Sequence, residues 1–146
     1  MKILVLSDIH SMNLNLNLYD FDYIICAGDI GNSNILDYTN YVVKGNCDSY
    51  GNLNLKFQIN NKNIFLTHGH LYNVKNQYNS LIYKAKEENA NICIFGHTHY
   101  QESFIIDDIL FINPGAYMDL SYVIIDEYNI YYYKFNKLVK KEEFIW

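Results

Sequence analysis

The sequence predicts an α+β protein in which sheets stack between helical layers. Short apolar runs alternate with helix-like stretches through the first half of the chain. The second half is mostly strand, broken by turns rich in Asn and Asp. Half of the residues are apolar and 18% are charged, a balance that suits a folded chain with a core and argues against disorder. At 146 residues, the whole chain, 1–146, reads as a single domain.

The elements follow in order. Lys2 to Leu6 is a buried strand. From Ser11 to Leu18, Asn and Leu alternate with a strand-like period, but Asn is a poor strand former, so a loop or a very short helix is expected. Tyr23 to Cys26 is a second buried strand, ended by the turn signal Ala27-Gly28-Asp29. Ser33 to Tyr38 reads as a short helix with Ser33 as its cap. Tyr41 to Lys44 is a third strand, ended by Gly45-Asn46. Leu53 to Ile59 and Ile64 to Thr67 form a hairpin across residues 60–63. Tyr72 to Asn89 is the main helix, because Val74, Tyr78, Leu81, Ile82 and Ala85 recur at helical spacing. Ile92 to Phe95 is another buried strand. Phe104 to Ile106 and Ile109 to Ile112 flank Asp107-Asp108 in a second hairpin. Tyr122 to Ile125 and Ile130 to Phe135 form a third. Pro114, the only proline, follows Asn113 in a turn. The chain has no linker, low-complexity tract or internal repeat.

Composition excludes several classes of function. All eleven basic residues are lysine, so no arginine fork is available for a carboxylate or phosphate. A net charge of −5 argues against broad binding to nucleic-acid backbones. Cys26, Cys47 and Cys93 are an odd count without paired spacing, which fits a reducing compartment. The opening apolar run is too short for a signal peptide, and no run approaches a membrane-spanning length. A cytoplasmic protein is expected. Tyr131-Tyr132-Tyr133 reads as an amphipathic strand at a sheet edge or in a homo-oligomer contact. Lys137 to Lys141 reads as a solvated face. The apolar end Phe144-Ile145-Trp146 packs back on the domain or enters a subunit contact.

Polar blocks follow the strand ends: Asp8-Ile9-His10, Gly28-Asp29, Gly45-Asn46-Cys47-Asp48, His68-Gly69-His70 and Gly96-His97-Thr98-His99. Polar groups past the carboxyl ends of α/β strands converge on one crevice. In Asp8-x-His10 and His97-x-His99, a spacing of two places both side chains on one side of an extended segment. Taken singly, each block is an ordinary turn or hydrogen-bonded pair. Taken together they are not, because all five histidines of the chain fall inside them. His, Asp and Asn without a set of thiolates favour a borderline transition metal over calcium or magnesium.

In this order the blocks resemble the calcineurin-like metallophosphoesterase superfamily. Gly45-Asn46-Cys47-Asp48, Leu66 to His70, Gly96 to His99 and Asn113-Pro114-Gly115 are similar to the small phosphodiesterases of the YfcE type. The resemblance runs to about Gly115. It implies a four-layer α/β/β/α sandwich with two mixed sheets face to face. It also implies two divalent ions, manganese first, with nickel, iron, cobalt or zinc as other occupants. Asp8, His10, Asp29 and His99 would hold the first ion. Asp29, Asn46, His68 and His97 would hold the second, with Asp29 bridging. Asp8 and Asp29 cancel two of the four positive charges, so the site stays positive enough to attract a phosphate without arginine. A metal-bridging hydroxide of lowered pKa would attack phosphorus in line. The implied activity is hydrolysis of small phosphate esters by a phosphodiesterase. A phosphomonoesterase, a nucleotide pyrophosphatase, or a non-catalytic scaffold such as the retromer subunit of this fold are the alternatives.

Two departures matter. Where many members of the superfamily carry a His after the motif Asn46, this chain has Cys47, and a thiol with a pKa near about 8.5 is a less suitable acid at neutral pH. A preference for easily departing leaving groups is expected. His70 is a candidate catalytic acid in its place, alongside Asn46, or else it only orients a ligand or lines the site. Asp48 either orients a neighbour or caps a turn. The second departure is the short stretch between His10 and Tyr23, which predicts a shrunken helix and a more open site.

Overall fold

The computed structural model describes residues 1–31 and 34–146. Two sheets face each other. The first has strand order β11-β10-β9-β1-β2-β3, and the second β4-β5-β6-β8-β7. In the first sheet, β1 (Ile3–Leu6), β2 (Tyr23–Cys26) and β3 (Tyr41–Val42) run parallel, while β9 (Tyr122–Ile125), β10 (Asn129–Lys134) and β11 (Lys137–Glu143) are antiparallel. In the second, β5 (Lys62–Thr67), β6 (Ile92–Ile94) and β8 (Ile109–Asn113) are parallel, flanked by β4 (Asn54–Ile59) and β7 (Glu102–Ile106) running the other way. Both sheets are therefore mixed, as expected.

The period-two pattern of the strands sorts their side chains into separate cores. Ile3, Val5 and Ile25 from the first sheet pack against Ile64, Leu66, Ile92 and Ile94 from the second. The opposite face of the second sheet sends Phe65, Cys93 and Phe111 against Leu81 and Ala85 of α1 (Asn79–Glu87). The outer face of the first sheet buries Leu4, Leu6, Ile24 and Cys26. Its covering layer contains 3-10 turns at Leu18–Asp20 and Asn34–Asp37, with Met12, Leu14 and Leu16 packed down from loop. The stretch between His10 and Tyr23 is thus the expected loop with one short turn. The cap expected at Ser33 lies outside the described residues. Among the described residues, no helix is long and apolar enough to cross a membrane.

Several boundaries differ from expectation. The main helix begins at Asn79 instead of Tyr72. Asn73 adopts a left-handed backbone (φ 55°) and accepts a hydrogen bond from the Asn76 side chain at 2.6 Å, so a local turn replaces the first helical turns. Val74 and Tyr78 still pack against the α1 core without being helical. The third strand stops at Val42. Lys137 to Lys141 forms much of β11, an exposed edge strand. The hairpin turns close with two residues of positive φ each, at Asn60-Asn61, Asp107-Asp108 and Phe135-Asn136, a backbone that Asn and Asp tolerate well.

Candidate metal centre

Because β1, β2 and β3 are parallel in one sheet and β5 and β6 in the other, their carboxyl ends deliver the polar blocks to one rim. Backbone bonds zip these loops together. Asp8 N donates to Gly28 O at 2.9 Å, His10 N to Asp29 O at 3.0 Å, and Gly96 N to His68 O at 2.9 Å. The sheets are also tied to each other at this rim. His68 Nδ1 donates to Ala27 O at 2.7 Å, and His97 N donates to Asp8 Oδ2 at 3.1 Å.

The loops that carry these residues are not extended. Asp8, His10, Asp29, His97 and His99 have φ of 53°, 47°, 56°, 69° and 63°. The paired side chains therefore meet through left-handed turns, and the expected reason for the Asp8-x-His10 and His97-x-His99 spacing does not hold. The convergence itself does. His10 Nε2 lies 3.8 Å from Asp8 Oδ1 and 3.7 Å from Asp29 Oδ2. His99 Nε2 is 3.2 Å from Asp8 Oδ1. His68 Nε2 is 3.3 Å from Asp29 Oδ2, 3.9 Å from Asp8 Oδ1, 3.0 Å from Asn46 Oδ1 and 3.2 Å from His97 Nδ1. Since Nδ1 of His68 gives its proton to a carbonyl, its Nε2 presents a lone pair to this group of oxygens. Asp8 Oδ1 and His10 Nε2 are buried without any hydrogen-bond partner. A cluster of acceptors with orphaned atoms at its centre is what a cation would satisfy, and buried polar atoms seldom go unpaired otherwise. Two such groups are Asp8 with His10 and His99, and Asp8 with Asp29 and His68. All of the residues expected to hold metal are brought together.

Close packing leaves these loops little freedom. A Cβ on Gly45 would stand 2.0 Å from Asp29 Oδ1, and one on Gly96 would stand 2.0 Å from Ser7 Oγ and 2.8 Å from Asp8 Oδ2. Ser7 Oγ itself donates to Asp8 Oδ2 at 2.7 Å. Two residues support these loops, Asn113, whose role was not identified from sequence, and Asp48, for which orienting a neighbour was one of the two expectations. The Asn113 amide donates to Gly96 O at 3.2 Å and to Thr98 Oγ1 at 2.9 Å, holding the loop of His97 and His99. Asp48 does more than cap a turn. Its Oδ2 accepts from Asp29 N at 2.7 Å and Gly45 N at 2.8 Å, and its Oδ1 from Ile30 N at 3.0 Å and Gly31 N at 3.3 Å. A carboxylate just after an Asn-Cys turn was the available signal, though it has no periodicity to mark it.

The electrostatics show the tension among these groups. Burial works against the charge of Asp29, but His68, the Cys47 N–H and His10 outweigh it and hold the carboxyl well below the usual range. Burial opposes protonation of His68, yet the Asp29 and Asp8 carboxylates raise its pKa overall. Burial, helped by the charges of His68 and Lys75, pushes His97 down to about 4. His70 is also lowered, by burial and then by His68. Its ring centroid lies 5.4 Å from that of His68, and its Nδ1 is buried without a partner. The charge of Asp29, more than burial, raises the exposed Cys47 thiol. Beside Cys47 opens a cleft of about 420 Å³ lined by Ile30, Leu36, Val42, Val43 and Tyr50.

Comparison with known proteins agrees with this geometry. The profile of the calcineurin-like phosphoesterase superfamily domain matches residues 1–128. A protein of Mycoplasma genitalium named as a probable metallophosphoesterase is 36% identical over 124 residues, covering 79% of this chain and 76% of its own. A Streptococcus pneumoniae structure described as a predicted phosphoesterase superposes with a TM-score of 0.80 at 28% identity, covering 98% and 96% of the two chains. Vps29 of Entamoeba histolytica has the same fold, with a TM-score of 0.81 at 22% identity and 99% coverage of both. The E. coli phosphoesterase YfcE shares it too, with a TM-score of 0.66 at 21% identity and coverage of 97% and 98%.

Proposed function

The chain belongs to the calcineurin-like phosphoesterase superfamily, and from that membership and the geometry of its rim we propose that it is a dimetal phosphodiesterase, cleaving small phosphate esters by in-line attack of water. The reading rests above all on one observation: Asp8 Oδ1 and His10 Nε2 are buried, unpartnered and aimed into the same group of acceptors. In this reading residues 1–146 act as one cytoplasmic unit. Asp8, His10, Asp29 and His99 hold one cation, and Asp29, Asn46, His68 and His97 the other. Manganese is the first candidate, and nickel, iron, cobalt and zinc fit the same nitrogen and oxygen donors. Two divalent cations there supply a water of lowered pKa and offset the negative charge of the phosphoryl group.

The chain's own residues do the rest. The bond from His68 Nδ1 to Ala27 O keeps its Nε2 lone pair inward, and Asn46 Oδ1 stands beside it at 3.0 Å. Asp29 lies between the two groups, with its Oδ1 fixed by Cys47 N at 2.9 Å. His70, its ring centroid 5.4 Å from that of His68, would pass a proton to a departing oxygen, or else only line the site. Its lowered pKa leaves it mostly neutral near pH 7, and Cys47 is no better an acid. Esters with good leaving groups, their organic part seated in the cleft beside Cys47, are therefore the favoured substrates.

The test is hydrolysis of a chromogenic phosphodiester by chelator-stripped protein, with and without manganese, beside Asn46→Ala. Metal-dependent turnover that the variant loses is expected. A phosphomonoester turned over faster than the diester would favour a monoesterase, and preferential cleavage of a nucleotide anhydride a pyrophosphatase. Likeness to Vps29 favours a second reading, a protein-binding scaffold, which would follow from no turnover together with no bound metal.

A further inference from the structure

The cleft beside Cys47 opens off the candidate metal centre. Cys47 lines it, and Cys47 Sγ lies within 4.8 Å of one ring nitrogen of His10 and one carboxylate oxygen of Asp29. The cleft encloses about 420 Å³, within the roughly 300–1,000 Å³ of small-molecule sites. Ile30 and Val43 line it from the core and are buried. Leu36 and Tyr50 line it too, yet they are 55% and 91% exposed. Folding leaves these two apolar surfaces to water, and a ligand in the cleft would cover them. Charge supplies a second observation. Among the described residues that line the cleft, Asp48 is the one ionised side chain, and no lysine or histidine joins it. Its carboxylate is taken up by the backbone N–H groups of Asp29, Ile30, Gly31 and Gly45. The cleft therefore offers no cation to a second phosphate. It suits a nucleobase little better. Cys47 Sγ already takes a bond from the Asn46 amide at 3.5 Å. The side-chain groups left to pair with a base edge are the Ser49 and Tyr50 hydroxyls, and polar groups that go unpaired on burial cost free energy.

Resting on the reading of the rim as a phosphate-binding metal centre, we propose that this cleft selects the organic group of the substrate: an uncharged apolar ring such as a phenyl, seated against Leu36 and Tyr50. An aryl phosphate ester is thereby preferred over an alkyl ester and over a nucleotide. The phosphoryl group meets the same rim in all three, so the preference comes from the ring alone. Burial against Leu36 and ring contact with Tyr50 supply it. Neither residue is among those expected to hold metal, so both act on the organic group.

The experiment measures binding of phosphonates, which resist hydrolysis, to the full-length manganese-loaded protein. Calorimetry is run at a pH where each phosphonate is a dianion. Phenylphosphonate is expected to bind roughly 5- to 10-fold more tightly than methylphosphonate, as covering about half of a ring would give. Combining Leu36→Ser with Tyr50→Ser is expected to narrow that difference to about two-fold or less. Both side chains are exposed, so the fold is not at stake, and methylphosphonate reports on the metal centre in the variant. An adenosine 5′-phosphonate is expected to bind no better than phenylphosphonate. Equal binding of phenyl- and methylphosphonate, a difference that survives the double substitution, or tighter binding of the adenosine compound would overturn the assignment of the cleft and leave the metal centre standing. No binding of any of the three would instead sink the metal-centre reading, and this proposal with it.

Discussion

Replacing Asp48 with Asn should weaken both the fold and the cation site. The carboxylate accepts from the backbone N–H groups of Asp29, Ile30, Gly31 and Gly45 at 2.7, 3.0, 3.3 and 2.8 Å. An amide keeps one oxygen, which can serve one of these pairs, and turns an NH2 donor toward the other pair. Bonds to a charged acceptor contribute about 1.5–3 kcal/mol each, so losing two costs about 3–6 kcal/mol at full burial. Asp48 is only half-buried, and water can reach the released N–H groups. The lower end, about 3 kcal/mol, is therefore expected, or a fall in Tm of about 6–12 °C for a chain of this size. Because two of the lost or strained bonds set the backbone of Asp29 and the turn of Asn46, metal affinity should fall with stability, by roughly 10- to 100-fold. Thermal unfolding and metal titration of Asp48→Asn test both. A Tm within about 2 °C of the parent, with unchanged affinity, would refute the claim that this carboxylate organises the site.

Three further outcomes follow. Gly45→Ala should fold, yet bind metal more than about ten-fold more weakly by calorimetry, because its Cβ would stand 2.0 Å from Asp29 Oδ1 and 2.6 Å from Asp29 N; unchanged binding would show that the loop yields freely. Stripped protein should be most resistant to denaturant near pH 6.5, the ordinary His value. With His97 held at about 4 in the fold, the unfolded chain binds more protons as pH falls from there, so stability drops on acidification. His68, raised above its ordinary value, contributes fully below it and loses that contribution as pH rises through its folded value. Denaturant midpoints that climb steadily to pH 8 would contradict this. Gln101→Leu should cost about 1–3 kcal/mol in chemical denaturation without altering metal affinity, since the Gln101 amide reaches Pro114 O, Tyr122 O and Tyr133 O at 3.1, 3.2 and 2.9 Å.

The strands were legible because apolar runs bounded by Asn, Asp and Gly leave few alternatives. Asp107-Asp108 named its own turn, whereas the turn expected across residues 60–63 closes at Asn60-Asn61, with Lys62 and Asn63 already in β5. The blocks that converge on the rim were legible because all five histidines sat in them, at the ends of strands. The helix start was not. The periodicity of Val74 and Tyr78 reflects real burial, but the left-handed turn at Asn73 takes the backbone elsewhere. The run of alternating Asn and Leu misled less than its pattern threatened, since Leu14 and Leu16 cover the outer face of the first sheet from a loop. Edge strand β11 read as a solvated face because an exposed lysine-rich strand carries no burial pattern. The role of Asn113 stayed hidden for another reason, and that of Asp48 was legible only as one of two options: each acts on backbone groups distant in sequence or on loop groups, and such partners leave no trace in residue types.

The left-handed backbone at Asp8, His10, Asp29, His97 and His99 sets folding and chemistry against each other. Each such residue gives up on the order of 1 kcal/mol that glycine would keep, although Asp and His bear it better than most. Selection for a more stable chain would thus push these positions toward glycine, while the proposed cation centre would hold them back. A lineage that stopped using cations would not lose its ligands at random. His99 and His10, whose side chains are partly exposed, would be the first to drift. Asp8 and Asp29 would persist longest, because their carboxylates also secure Ser7, His97 and Cys47. The order in which relatives have shed these residues would then record how long ago each one left catalysis.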